Sequence, residues 1–234
     1  MSVRVIIAAA GSGTRFGHEV PKQFLELGGK SILWHTVGCF ESCDIVEEIA
    51  IVVPSSFASI SDMGFSKVKH VVAGKNTRAE SVYEGLKRIS LTGISNETVV
   101  LVHDGVRPFV SLEAIENVAQ EAKRHGAAIA ATKVTDTIKQ VDSDGFIGST
   151  ISRENLWRAA TPQGFRMGIL HDSFNKAAKH GYLELATDEA YLAENAGFPV
   201  FIVEGNPENI KITNPADMVI AKEWIRKTKY EIVS

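Results

Sequence analysis

Val3-Arg4-Val5-Ile6-Ile7 runs into Ala8-Ala9-Ala10 with almost no polar interruption, a stretch about as long as one strand. A strand that is apolar on both sides of its pleat is buried on both faces, which is the habit of parallel sheets. The pattern then repeats. Ser31 predicts the cap of a helix through about Glu41, with Ile32, Leu33, His35, Thr36 and Phe40 at helical spacing. Val46–Val53 predicts a second strand stopped by Pro54, and Lys67–Ala73 a third ending at Gly74. Thr77-x-x-Glu80 is a capping box opening a helix to about Ile89. Thr98–Val102 predicts a fourth strand, Ser111 caps a helix to about His125, and Gly126–Lys133 reads as a further strand. Strand and helix alternating over 133 residues imply a mostly parallel, Rossmann-like α/β sheet covered by helices on both faces.

The alternation fails at Val134. Residues from Thr135 to Trp157 are polar, Thr-rich and strand-like, with Asp142-Ser143-Asp144-Gly145 as a hairpin turn. No helix follows to cover them, and a two-stranded hairpin alone is marginal in water. The expectation is a protruding arm at about 135–157, inserted in a single domain spanning 1–234, that docks on a second copy of the chain. Thr161-Pro162-Gln163 is read as the return to the body. Met167–His180 predicts a helix, Thr187 the cap of another to about Asn195, and Pro199–Val203 a late strand. Asn214-Pro215 opens the last helix, to about Lys227.

Ligands of such sheets sit outside the carboxyl ends of the strands, so chemistry is sought there. The first strand ends in Gly11 and Gly13, whose missing side chains let backbone N–H groups form an anion-binding nest. Arg15 and Lys22 place two cations just downstream. The loop is neither a P-loop, since no Gly-Lys-Ser/Thr occurs, nor a dinucleotide fingerprint, since Phe16 stands where the third glycine belongs. Val53 also leads into Pro54-Ser55-Ser56, with no acidic residue for a ribose, which argues against a nicotinamide oxidoreductase. The third strand ends in Gly74-Lys75-Asn76-Thr77-Arg78, which taken alone is explained by a capped helix with an ordinary turn. The fourth ends in His103-Asp104-Gly105-Val106-Arg107. A carboxylate at Asp104 suits Mg²⁺ bridging nucleotide phosphates, and a local Asp104–Arg107 salt bridge suits the spacing equally well. His103 is read as structural. Lys211, between Ile210 and Ile212, is either aimed into a cleft with an anionic partner or snorkelling.

Composition narrows the partners. With 25 basic and 28 acidic residues the net charge is −3, so neither nucleic acid nor an anionic membrane is an expected partner. No apolar run approaches the ~20 residues of a membrane span, and Val3–Ala10 is not a signal peptide, so the cytoplasm is the expected compartment. Cys39 and Cys43, four apart in a predicted helix, are read as reduced packing residues.

Taken together, Ala9-Ala10-Gly11-x-Gly13-x-Arg15 and Pro21-Lys22-Gln23-Phe24 resemble the signature of nucleotidyltransferases that join a nucleoside triphosphate to a sugar or polyol phosphate. Further stretches sharpen the likeness: Arg78-Ala79-Glu80-Ser81, Val102-His103-Asp104-Gly105-Val106-Arg107-Pro108, Asp136-Thr137-Ile138-Lys139, Arg153-Glu154-Asn155-Leu156-Trp157, Thr161-Pro162-Gln163, Thr187-Asp188-Glu189 and Asn209-Ile210-Lys211-Ile212-Thr213. From about Val3 to Trp224 the chain resembles the 2-C-methyl-D-erythritol 4-phosphate cytidylyltransferase family. The resemblance implies transfer of CMP from CTP to methylerythritol phosphate in the non-mevalonate isoprenoid pathway, with Mg²⁺ or another divalent cation at Asp104. It implies catalytic roles for Arg15, Lys22, Arg153 and Lys211. It places the substrates against Ala9, Ala10, Gly11, Gly13, Gly74, Lys75, Ser81, Asp104, Gly105, Arg107 and Thr137. It also implies a homodimer in which Thr137 and Arg153 of each arm reach the partner's site. Two departures stand out: Gly105 replaces the usual alanine, and Lys75 replaces a frequent acidic residue. The alternatives are a ribitol-5-phosphate cytidylyltransferase, which shares the loop and the aspartate and lysine motifs, and a non-catalytic nucleotide-binding module.

Overall fold

The computed structural model describes residues 1–11, 20–58 and 63–231, the last four of these by their backbone alone. Strand β1 (Val3–Ala8) is followed by a short 3₁₀ turn at Lys22–Phe24 and a minimal hairpin, β2 (Glu26–Leu27) with β3 (Lys30–Ser31). Then come α1 (Ile32–Glu41), β4 (Val46–Val53), β5 (Val68–Ala73), α2 (Arg78–Ser90), β6 (Val99–Asp104), α3 (Leu112–His125) and β7 (Ala127–Lys133). The arm consists of β8 (Ile138–Val141) and β9 (Ile147–Ile151). The chain returns through β10 (Trp157–Arg166), α4 (Met167–His180), α5 (Glu189–Asn195), β11 (Phe201–Glu204) and α6 (Pro215–Glu231).

Seven strands form one sheet in the order β11-β7-β10-β6-β1-β4-β5. Every pairing is parallel except those of β10, which runs antiparallel between β6 and β7. The pleat sorts β1 between two cores. Val3, Val5, Ile7 and Ala9 join α1 and α3 residues such as Val37, Phe40, Val118 and Ala122. Ile6 turns to the other face, against Val82, Leu86, Leu170, Phe174 and Leu192 of α2, α4 and α5. Both faces are covered, as the first strand's composition requires. A third, smaller core joins Leu27, Ile32, Val106, Ile212, Met218 and Ala221, tying α6 to the first hairpin and to the loop after β6.

The expected caps form. Ser31 accepts from Trp34 N–H, Ser111 from Ala114 N–H, and Thr77 with Glu80 makes the full capping box. Asn214 accepts from Asp217 N–H while the Asp217 carboxylate accepts from Thr213 and Asn214, fixing the start of α6. Three expectations need correction. Residues 103 and 104 belong to β6 itself, whose last residue is Asp104. The cap of α5 is Asp188, not Thr187, accepting from Tyr191 N–H at 2.9 Å. Trp157 does not belong to the arm. It opens β10, a ten-residue strand that contains the whole Thr161-Pro162-Gln163 return.

Among the described residues, no helix is long and apolar enough to cross a membrane.

Candidate active site

Asp104 ends β6 at the carboxyl edge of the sheet, next to β1. Three cations from three parts of the chain converge on its carboxylate. Arg78, opening α2, brings Nε to 3.1 Å of Oδ1. Arg107 Nε lies 3.2 Å and Lys211 Nζ 3.0 Å from Oδ2. These charges hold the buried carboxyl far below the usual carboxylate range, against the opposing pull of burial, so it stays ionised. Lys211 is aimed by its neighbours: Ile212 is fully buried in the third core and donates its N–H to Val106 O at 2.9 Å. The flanking isoleucines thus direct the lysine to an anion, and the snorkelling alternative fails.

Behind the carboxylate the backbone is held by a relay. His103 Nε2 donates to Arg107 O at 3.1 Å, which leaves Nδ1 as the acceptor of the Thr161 hydroxyl at 3.0 Å. That hydroxyl oxygen in turn accepts the Asp104 N–H at 3.1 Å. Burial pushes the His103 imidazole down to about 4, so it is neutral and structural, as the sequence suggested. Thr161 reaches it because β10 breaks register with β7 between Ala159 and Gln163, one of the irregularities that re-aim side chains beside sites. Asn209 donates to Thr161 O and its own carbonyl accepts from Arg107 Nη1, both within 2.8 Å.

The wall beside this cluster is built of small residues for a steric reason. A Cβ on Gly74 would stand 2.3 Å from Ala10 Cβ and 2.9 Å from Ser81 Oγ. One on Gly105 would stand 2.8 Å from Ala9 Cβ, and Gly105 N–H bonds Ala8 O at 2.8 Å. Gly105 therefore stands at a crowded position. Lys75 N–H donates to Ser81 Oγ, whose own O–H donates to Thr77 O. Ser81 thus shapes the 74–77 turn, while the Lys75 side chain is exposed. Gln23, buried in the 3₁₀ turn, donates to Ala9 O at 2.6 Å and to Gly11 O at 2.9 Å, fastening the end of β1. Half-buried Lys22 starts the same turn, and so is anchored beside that strand end.

The structure therefore brings together Ala9, Ala10, Gly11, Gly74, Lys75, Ser81, Asp104, Gly105, Arg107 and Lys211, with Lys22 at the neighbouring turn. Gly13 and Arg15 lie outside the described residues. Thr137 and Arg153 are exposed on the arm. The Arg153 guanidinium donates to Thr135 O within that arm, and the partners of Asp104, Arg107 and Lys211 among the described residues come from other parts of the chain. Two clefts flank Lys211. One of about 320 Å³ is lined by Arg107, Arg158, Asn209 and Lys211, and one of about 120 Å³ by Arg78, Asp104, Arg107, Thr161, Asp188 and Lys211. Arg78, Arg158, Thr161, Gln163 and Glu189 were given no role by the sequence. The Arg78-Ala79-Glu80 and Thr187-Asp188-Glu189 stretches were the available signal, but only the fold puts them in contact.

Known proteins resemble this chain along nearly its whole length. The family described as 2-C-methyl-D-erythritol 4-phosphate cytidylyltransferase matches residues 3–227. The cytidylyltransferase of that description from Syntrophus aciditrophicus is 38% identical over 98% of both chains. The one from Geobacter metallireducens is 40% identical over 97% of this chain and 99% of its own. Among solved structures, the Francisella tularensis enzyme superposes with a TM-score of 0.82 at 32% identity, covering 96% of this chain and 99% of the other. The Thermus thermophilus enzyme gives 0.79 at 34%, covering 97% and 100%. By this match along nearly its whole length, the chain belongs to the 2-C-methyl-D-erythritol 4-phosphate cytidylyltransferase family.

Proposed function

We propose that the Asp104 end of the sheet is where this chain performs its family's reaction, the transfer of CMP from CTP to 2-C-methyl-D-erythritol 4-phosphate. A phosphate oxygen of the acceptor attacks the α-phosphorus of CTP. One P–O bond forms, the bond to the β-phosphate bridge breaks, and pyrophosphate leaves with the electron pair. The nucleophile is already an anion and needs no base, so the protein's task is positioning and charge stabilisation. A neutral, fully buried His103 supports that reading, because this imidazole holds backbone and is not offered to a substrate.

The observation that carries the proposal is the convergence of Lys211, Arg107 and Arg78 on Asp104 beside the small-residue wall. In it, Ala9, Ala10, Gly11, Gly13, Gly74, Lys75, Ser81 and Gly105 present backbone to the nucleotide. Lys22, with Arg15, stabilises the transition state and the departing pyrophosphate. Asp104, Arg107 and Lys211 take the acceptor's hydroxyls and phosphate. Thr137 and Arg153 come from the arm of a second subunit, a reading supported by their exposure and by the uncovered Val141, Phe146 and Ile147 of the hairpin.

A divalent cation fits this site only in company. Among the described residues no cluster of three or more His, Cys, Asp or Glu stands ready to hold a metal. Asp104 Oδ1 takes one hydrogen bond and so keeps a lone pair, but three cations surround it. Mg²⁺ would therefore be held by Asp104 together with triphosphate oxygens, its preferred set of one carboxylate plus phosphates. There it would neutralise phosphate charge.

Lys22→Ala should lower kcat by ~10²–10³, the usual loss when one preorganised charge is removed, while calorimetric CTP affinity changes little. A loss below about tenfold would remove Lys22 from the chemistry.

A further inference from the structure

Two stretches of the site have no part in the reaction as described so far, Thr161-Pro162-Gln163 and Thr187-Asp188-Glu189, and they interlock behind Arg78. Gln163 Oε1 accepts the N–H groups of Glu189 and Ala190 at 3.1 and 3.0 Å, and its Nε2 donates to Asp188 Oδ2 at 2.9 Å. This fixes the first turn of α5 against β10. Glu189, at that turn, is completely buried. Its Oε1 lies 2.7 Å from Arg78 Nη1, and its Oε2 has no hydrogen-bond partner. The same guanidinium uses Nε to hold Asp104 Oδ1 at 3.1 Å. One planar fork thus spans two carboxylates, one in the site and one sealed behind it.

The arrangement is costly for a purely structural device. A buried carboxylate pays a desolvation penalty that its ion pair often fails to recover, and an apolar side chain of similar size would commonly fold as well. What a second carboxylate adds is direction. A guanidinium bonded through Nε alone can pivot about that bond, whereas one bonded through Nε and Nη1 has its plane fixed. With Arg78 fixed, Asp104 Oδ1 is fixed, and Oδ2 is set where Arg107 and Lys211 meet it.

We propose that Glu189, oriented by Gln163, is a positioning residue for the transfer reaction: it locks Arg78 so that Asp104 holds Lys211 and Arg107 in register for the acceptor. The proposal rests on the reaction assigned above and adds to it a residue that touches neither substrate.

The test is a double-mutant cycle of Glu189→Gln and Arg78→Lys, with kcat and both KM values from pyrophosphate release and melting temperature as the check on folding. Glutamine keeps the size of Glu189 and replaces the charged acceptor of the Arg78 N–H by a weaker neutral one, and lysine keeps the charge of Arg78 but lacks the planar fork that sets the orientation of both carboxylates. Each single variant should raise the acceptor KM by about tenfold and leave the CTP KM unchanged, and the double variant should be no worse than the weaker single, as expected of residues acting in series. A role confined to stability would lower melting temperature and active fraction without touching either KM. Normal acceptor KM in Glu189→Gln, or losses that multiply in the double variant, would overturn the proposal. Should Glu189→Gln fail to fold, Gln163→Leu decides by the same KM split, since it frees the turn that carries Glu189 and leaves the Arg78–Asp104 bond in place. Wild-type protein that releases no pyrophosphate would instead overturn the reaction itself.

Discussion

At the residue scale the site depends on groups whose protonation the fold has fixed. His103 is the clearest. Its imidazole, depressed to about 4 by burial, resists a proton that the unfolded chain accepts near 6.5. The unfolded state therefore binds more protons between these values, and folding stability falls as pH drops from about 6.5 toward 4, by roughly 3 kcal/mol over the window. Asp104 acts in a separate range: its depressed carboxyl costs stability only as pH falls below the ordinary aspartate value. Thermal melts between pH 7 and 4.5 should show the decline in wild type and a flatter profile in His103→Gln, which does not titrate. Parallel profiles would mean that His103 is not the group responsible.

At the scale of elements, the wall formed where β1, β5 and β6 end tolerates little added volume. Gly74→Ala puts a methyl 2.3 Å from Ala10 Cβ, and neither backbone can yield without moving the turn that Ser81 holds. Overpacking of this kind costs about 1–3 kcal/mol, so CTP affinity should weaken by about tenfold or more. Unchanged affinity by calorimetry would separate this wall from the nucleotide. Most of these elements were legible from sequence because caps and apolar runs are local signals: Ser31, Thr77-x-x-Glu80, Ser111 and Asn214-Pro215 all mark real helix starts. β10 was not. Trp-Arg-Ala-Ala-Thr-Pro-Gln has neither alternation nor a buried run, and Pro162 in its middle argues against a central strand. The structure accommodates that proline where the register with β7 is broken. The partners of Asp104 were legible only in part. Arg107, three residues away, was readable as a salt bridge. The Arg78–Glu189 contact joins residues 111 apart in sequence, and no local pattern encodes it.

At the scale of the whole molecule, the chain presents a body with most of the site and an arm carrying Thr137 and Arg153 out into solvent. The Asp142 carboxylate, accepting from Asp144 and Phe146 N–H, shapes the arm's tip, and β8 pairs with β9 alone. If the arm completes the partner's site, Lys22→Ala and Arg153→Ala subunits damage different halves of one composite site. Each is nearly inactive alone, but random mixing should restore about a quarter of wild-type activity, since half the dimers are mixed and each has one intact site of two. No recovery after confirmed subunit exchange would place Arg153 in its own chain's site or outside the chemistry.

The most direct measurement is pyrophosphate release from CTP and Mg²⁺ by the wild-type protein, run in parallel with 2-C-methyl-D-erythritol 4-phosphate and with ribitol 5-phosphate. Release with the first acceptor and not the second is the expected result. Release with ribitol 5-phosphate alone would keep the sheet, the wall and the Asp104 cluster but contradict the assignment of the acceptor. Silence with both would contradict the reaction.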